Sequence, residues 1–235
     1  MNHPKISVLT VCYNSFPFME ESILSVVNQT YDNIEYVIID GGSTDGTLDL
    51  LNKYREKISI LVSEKDKGIY DAINKGLKLA TGDFLIVLGT DDHFLSYHTL
   101  EKVASKLESQ DCVYYGNVYM EEFNLIHKRK FNKTKRAIWN ICHQCIFYPQ
   151  NVYKFYEYDL KYKLFADNEY NFRISEKFCF TYIEDTISYF SYGGKSAKRD
   201  DIAWNKDKKK YIIKYCGLIP YLISCFRNYI KKLSI

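Results

Sequence analysis

The chain has 235 residues, 46% of them hydrophobic, enough for one α/β domain with a sizeable core. Its formal charge is only +3, but residues 195–235 carry 11 Lys/Arg against 3 Asp/Glu, so a basic tail follows an acidic body. No apolar run is long enough to span a bilayer, and the seven irregularly spaced cysteines hold one CxxC, Cys142 to Cys145, without the second pair that a zinc ribbon needs.

Reduced, mostly buried thiols in a cytoplasmic protein are therefore expected. A strand-like run begins close to Met1, so no signal peptide is expected. The 22 tyrosines suit surfaces that meet ring-shaped ligands.

Residues 6–11 are a buried-strand run. Ser15 can cap a helix whose apolar face is Phe18, Met19, Ile23, Val26 and Val27. Residues 36–39 form the next strand, and Gly41-Gly42-Ser43 turns the chain into a helix holding Leu48, Leu50 and Leu51. A third strand over 58–62, a helix over 70–80 and a fully apolar strand over 84–88 follow. Alternating strands and helices predict a mostly parallel sheet covered on both faces. A helix over 96–107, a hairpin over 113–131, a helix over 165–174 and a strand over 181–192 complete the body. Residues 134–158 give no clear pattern.

Three acidic residues follow apolar strands: Asp40 after residues 37–39, and Asp91 and Asp92 after residues 86–90. Ligands of an open α/β sheet bind outside the carboxyl ends of its strands. If the first, second and fourth strands are neighbours, the three carboxylates share one crevice. They would repel each other unless a cation is present, and oxygen ligands suit Mg²⁺ or Mn²⁺. Spacing alone equally allows Asp91-Asp92 to cap the following helix.

Ser7-Val8-Leu9-Thr10-Val11-Cys12-Tyr13-Asn14, Gln29-Thr30-Tyr31 and Asp40-Gly41-Gly42-Ser43-Thr44-Asp45-Gly46-Thr47 resemble the opening of family 2 glycosyltransferases. Asp66-Lys67-Gly68-Ile69-Tyr70-Asp71-Ala72-Ile73-Asn74-Lys75-Gly76 and Leu88-Gly89-Thr90-Asp91-Asp92 continue the match in order. It thins over 93–140 and returns at His143-Gln144, Asp167, Arg173 and Gly193-Gly194-Lys195-Ser196. The resemblance implies a GT-A fold over 1–194, with a donor half over about 1–95 and an acceptor half over about 96–194, and a flexible loop and helical tail over 195–235. It implies a nucleotide-diphosphate sugar donor, UDP by family habit, a divalent metal (Mn²⁺ or Mg²⁺) and inversion at the anomeric carbon.

Carried across by motif, Thr10, Tyr13, Asp40, Lys67, Gly68 and Asp91 line the nucleotide site, and Asp92 ligates the metal. Asp167 takes the place of the general base, although many relatives carry an acidic residue where Ala166 stands here. His143, Gln144, Glu169 and Arg173 fall on the acceptor side. No histidine stands in the late loop to ligate a metal, so Lys195, Lys198 or Arg199 is expected to clamp the diphosphate instead. Without the resemblance, Asp167 reads as a helix cap and His143 as a core histidine.

In the tail, Gly217 and Pro220 divide two helical pieces. Ile212, Cys216, Ile219, Leu222, Ile223, Phe226, Tyr229, Ile230 and Leu233 fall on one face of them. A basic amphipathic stretch of this kind suits an anionic membrane surface, and a place on the inner face of the cytoplasmic membrane follows from it. A helix packed on its own domain or in a homodimer fits the same pattern. Rival readings are a non-catalytic nucleotide-sugar-binding scaffold, which the joint presence of Asp40, Asp91, Asp92 and Asp167 argues against, and a nucleotidyltransferase, which needs a Gly-rich basic loop after the first strand. A dinucleotide-binding dehydrogenase lacks its GxGxxG. Nucleic acid is not expected as a partner, and a glycan or lipid-linked acceptor is.

Overall fold

The computed structural model describes residues 3–128, 130–190 and 200–233, without the side chains of 231–233. The donor half runs β1 (Ile6–Cys12), α1 (Phe16–Val27), β2 (Ile34–Asp40), α2 (Thr47–Lys53), β3 (Ile60–Ser63), α3 (Ile69–Leu79) and β4 (Phe84–Val87). The acceptor half follows with β5 (His93–Phe94), α4 (Thr99–Ala104), β6 (Cys112–Met120), β7 (Leu125–His127), α5 (Lys133–Ile138), β8 (Ile146–Pro149), α6 (Gln150–Tyr153), α7 (Ala166–Ile174) and β9 (Cys179–Phe190). Helices α8 (Ile202–Cys216) and α9 (Leu218–Leu233) end the chain.

One sheet takes the order β3-β2-β1-β4-β8-β6-β9-β5, with β7 paired to β6. Its first four strands are parallel, so β1, β2 and β4 are neighbours, as the shared crevice requires. Beyond β4 the sheet is mixed: β8 is antiparallel to β4 and β6, and β9 runs parallel to β6. Every residue of β1 is buried, Ser7 and Thr10 included, which is why it reads as a buried-strand run. Each such Val, Leu or Ile stabilises the fold by roughly 1.5–3 kcal/mol.

Helix α3 turns Ala72, Ile73, Gly76 and Leu77 inward. A Cβ on Gly76 would stand 2.6 Å from Leu9 Cδ2, so only glycine lets α3 approach β1 this closely. Asn74 ties α3 to the acceptor half: its Nδ2 donates to Tyr158 O (2.9 Å) and its Oδ1 accepts from Tyr158 N (2.8 Å). The second half of this motif thus packs α3 against β1 and the acceptor half.

Three expectations change. Ser15 precedes α1, but its hydroxyl donates to Tyr13 O (3.3 Å) and makes no cap. The thiols are not all reduced: Cys112 and Cys179 face each other in register on β6 and β9, with Cα atoms 4.6 Å apart, and form a disulfide. Nine tyrosines among the described residues are interior, with Tyr36, Tyr115, Tyr148, Tyr153, Tyr162 and Tyr170 among the largest fully buried side chains. Cys142 and Cys145 of the CxxC are not disulfide-bonded, and no metal-binding group of three or more His, Cys, Asp or Glu occurs among the described residues.

Candidate active site

The loops after β1 and β2 are laced together. Asn14 takes a left-handed conformation (φ 48), its N–H donates to Ser43 Oγ (2.8 Å), and its Oδ1 accepts from Thr44 N (2.9 Å). Ser15 N donates to Thr47 Oγ1 (3.0 Å) and Phe16 N to Asp45 Oδ2 (3.1 Å). Asp40 sits beneath this lattice and is fully buried. It accepts from Gly42 N (3.1 Å), Ser43 N (3.0 Å), Ser63 Oγ (2.6 Å) and Ser43 Oγ. Burial pushes its pKa up, but these donors outweigh burial and hold the carboxyl below its ordinary range. Asp40 thus shapes the turn from below.

Another carboxylate stands above it. Asp66 occupies the space that a side chain on Gly41 would fill, with Tyr13 beside it, and its Oδ1 accepts from Gly68 N (2.8 Å). Tyr13 is 55% exposed, so one aromatic ring and one carboxylate face outward over the Gly41-Gly42 turn. A ring and an acceptor side by side suit a planar base with an N–H edge. Nothing in its own stretch of sequence singles out Asp66 from the neighbouring Lys67 and Gly68. The signal lay in Gly41, whose missing side chain makes room for a partner.

Beyond β4, Asp91 is exposed and Asp92 buried, and both carboxylates fold over Gly89. A Cβ on Gly89 would stand 2.6 Å from Asp92 Oδ2 and 3.1 Å from Asp91 Oδ1. The pair shares a wall with Glu21, Glu121, His93 and Tyr189 in a cleft of about 170 Å³ between α1 and β5. Two carboxylates converging on a space that only glycine leaves open make a cradle for a cation. Gln144 supports that reading. It is 1% exposed, its Nε2 donates to Asp92 Oδ1 (3.3 Å), and its Oε1 is buried without a donor among the described residues. The residues present therefore fit a hydrated divalent metal.

Asp167 lies in the first turn of α7 and is 8% exposed. Asn140 Nδ2 donates to its Oδ2 (2.5 Å). Tyr70 Oη, from the first turn of α3, lies 3.1 Å from its Oδ1 and 2.9 Å from Leu164 O. A phenol has one proton and cannot donate to both. The conflict vanishes when Asp167 is protonated, donates to Tyr70 Oη and frees that hydroxyl for Leu164. Burial raises the Asp167 pKa, against the pull of His143, Tyr70, Asn168 and Asn140. His143 is half-buried, and burial lowers its pKa while Asp167 and Asp91 oppose the shift. His143 thus feels the charges of both Asp167 and Asp91. Beneath them, Tyr70 stacks on Tyr158 (5.4 Å) and Tyr158 on Tyr170 (4.3 Å), holding α3 and α7 together.

Asp91, Asp92, His143, Gln144 and Asp167 thus form one group, and Tyr13, Asp66, Lys67 and Gly68 another over the ends of β1 and β2. Thr10 presents no side chain to either: it is fully buried, with Oγ1 3.4 Å from Tyr36 Oη. Glu169 and Arg173 turn away. Arg173 Nε donates to Glu169 Oε1 (2.9 Å), which also accepts from Tyr211 Oη (3.1 Å) on α8. The pair braces α7 against α8. Lys195, Lys198 and Arg199 lie outside the described residues. Asn140 and Tyr70 were missed, since nothing in their own neighbourhoods points to a residue as distant as Asp167.

A protein-family model described as "Glycosyl transferase family 2" matches residues 7–178. The chain belongs to that family. It is 34% identical over 212 residues to a PGL/p-HBAD biosynthesis glycosyltransferase of Mycobacterium bovis, covering 83% of this chain and 80% of the relative. It is 33% identical over 114 residues to the putative teichuronic acid biosynthesis glycosyltransferase TuaG of Bacillus subtilis, covering 47% of this chain and 45% of TuaG. Among solved structures, S. aureus TarS in complex with UDP-GlcNAc superposes with a TM-score of 0.72 at 18% identity, over 90% of this chain and 67% of that one. The mannosyltransferase PcManGT of Pyrobaculum calidifontis, in complex with GDP-Man and Mn²⁺, superposes with a TM-score of 0.66 at 18% identity, over 90% of this chain and 63% of that one. The chain thus spans about two-thirds of the length of these two structures. The fold is GT-A, as the resemblance implies.

Proposed function

We propose that this glycosyltransferase moves a sugar from a UDP-linked donor, with inversion, to a hydroxyl of a glycan or lipid-linked acceptor in cell-surface polysaccharide or glycolipid synthesis. The observation that carries the proposal is the convergence of a buried, raised-pKa carboxyl, Asp167, with the Asp91/Asp92 cradle, joined by the adjacent His143 and Gln144. Tyr13 and Asp66 receive the base, with Lys67 and Gly68 beside them. Asp91 and Asp92 hold a Mn²⁺ or Mg²⁺ ion, which when bound offsets the charge of the leaving diphosphate. Asp167, ionised, takes the proton of the acceptor hydroxyl; protonated at Oδ1, it then donates to Tyr70 Oη. His143, its pKa lowered, stays neutral beside the two aspartates and adds a hydrogen-bonding edge without a charge. The names of the relatives support the acceptor class, and the complexes of TarS and PcManGT support a nucleotide-sugar donor and a metal.

UDP is expected to raise the melting temperature, and to raise it further with Mn²⁺. A ligand at 100 times its Kd stabilises the native state by about 2.7 kcal/mol. Thermal melts with UDP, GDP and UDP plus Mn²⁺ test this; a response to GDP alone would overturn the donor assignment.

The tail divides in two. Ile212 and Cys216 of α8 are buried, and α8 packs on α7 through Trp204, Tyr211 and Tyr215. Helix α9 instead leaves Ile219 (71%), Leu222 (55%), Phe226 (66%) and Tyr229 (62%) exposed. No helix among the described residues is long and apolar enough to cross a membrane. An apolar face on a basic segment fits an anionic lipid surface, where each Lys or Arg contributes on the order of 1 kcal/mol. Phosphatidylglycerol-containing vesicles are expected to sediment the full chain at low salt and release it at high salt. The double variant Ile219→Glu/Phe226→Glu is expected to stay in solution, with its fold intact because both side chains are exposed. Equal sedimentation of the two chains, or a shift of the wild-type chain from dimer to monomer in the double variant without lipid, would assign this face to another role.

A further inference from the structure

We propose that Gln144 is the positioning residue of the cation cradle: its amide N–H turns Asp92 toward Asp91, and its Oε1 accepts a hydrogen bond from a water molecule on the divalent cation. The inference rests on the reading of Asp91 and Asp92 as the cation site.

Gln144 lies on the short turn His143–Cys145 that leads into β8, and β8 is hydrogen-bonded to β4, the strand running to Gly89. Ser188 Oγ donates to Gln144 O (2.9 Å), fixing the backbone from β9. The side chain reaches Asp92 from a framework held on both sides. The two Asp92 oxygens then divide their roles. Oδ1 receives the amide at 3.3 Å, while Oδ2 points to the space over Gly89 that Asp91 Oδ1 also borders.

The orientation of the amide follows from charge. Exchanging its nitrogen and oxygen would set a carbonyl oxygen against a carboxylate and lose the hydrogen bond. With the nitrogen on Asp92, Oε1 is left as a buried acceptor without a donor among the described residues. A buried group left so costs roughly 1–3 kcal/mol. Oε1 belongs to the same carboxamide as the nitrogen on Asp92, so a donor that reaches it lies within a few ångströms of that carboxylate's surroundings. A water molecule on a divalent cation is a strong donor, and the cradle places the cation next to Asp92. A neutral amide also tolerates the site with or without the cation, whereas a glutamate there would add a third carboxylate.

Outer-shell partners of this kind change metal affinity by about 10–100-fold when removed. The test follows free Mn²⁺ by electron paramagnetic resonance during titration of the full chain with saturating UDP. Gln144→Met keeps the volume and removes both polar atoms, and Gln144→Ala is a second variant if methionine packs poorly. Both are expected to bind Mn²⁺ about 10–100-fold more weakly, with metal-free UDP affinity within about twofold of wild type. Mn²⁺ affinity within about twofold of wild type in the folded variants would overturn the proposal while leaving the cradle standing. A wild-type chain that takes up no Mn²⁺ with UDP would instead overturn the metal part of the proposed function, and this inference with it.

Discussion

Asp167→Asn is expected to lower sugar transfer by about 10²–10⁴-fold, to leave UDP affinity nearly unchanged, and to raise the melting temperature at neutral pH. The first effect is the loss of a base that acts on the acceptor hydroxyl; the second follows because the base pocket at Tyr13 and Asp66 is built by other loops. The third comes from the hydrogen-bond network. An asparagine can accept from Asn140 Nδ2 and donate to Tyr70 Oη, so that the single Tyr70 proton serves Leu164 O at 2.9 Å. Every group is then satisfied and no charge is buried, a gain on the order of 1 kcal/mol. The sign with pH is definite. The Asp167 pKa is raised in the folded chain above its ordinary value of 3.8. Its contribution to stability is fully present below that ordinary value and is lost as the pH rises through the folded value. The stability advantage of Asp167→Asn should therefore vanish in acid and grow toward neutral pH. Wild-type kcat/KM should rise with pH over the same window. A variant that keeps its rate would move the base elsewhere. His143 would be first in line, because Glu169 is taken up by Arg173 and Tyr211.

The donor half was legible because its elements are regular and its motifs local. The apolar runs that became β1, β2 and β4 need no partner to be recognised, and the glycines at 41, 76 and 89 mark places where chain or side chains come close. What the motifs do was less legible. Asp40 also anchors the turn after β2, a role the sequence does not show, because the five atoms that surround it, from Cys12, Gly42, Ser43 and Ser63, cannot be counted from a string. Glu169 and Arg173 form a helical i,i+4 pair, which fixes their mutual contact but not the direction they face; Tyr211, 42 positions away, decides that. The Asp167 environment is the same problem at longer range, since Asn140 and Tyr70 come from separate elements 27 and 97 positions distant. Two cysteines 67 positions apart gave no hint of a disulfide, because their pairing depends on β6 and β9 lying side by side in register. In the tail, the apolar stripe was visible but its division was not. One turn at Gly217 (φ +100) sends Ile212 and Cys216 into the core and leaves the α9 face exposed.

Gly89→Ala is expected to abolish the Mn²⁺-dependent part of the UDP response and to reduce transfer by about 100-fold or more, with little change in melting temperature. The reason is steric and confined to side chains. The new Cβ would stand 2.6 Å from Asp92 Oδ2 and 3.1 Å from Asp91 Oδ1, closer than carbon and oxygen tolerate, and both oxygens are at the ends of side chains that can rotate away. The backbone has no reason to refuse, since Gly89 is not among the residues at positive φ. The two carboxylates would swing apart, and the cradle would lose the geometry that a small divalent cation demands. Gly217→Ala supplies the contrast. That glycine is at φ +100, where an L side chain is strained, but only Pro220 Cδ lies near its Cβ position, at 3.9 Å. It should lower the melting temperature while leaving the Mn²⁺ response of UDP intact. The two variants thus separate backbone strain from cradle occupancy in one set of melts with UDP, with and without Mn²⁺. A Gly89→Ala chain that kept both its metal response and its rate would show that the space between Asp91 and Asp92 is not where the cation sits.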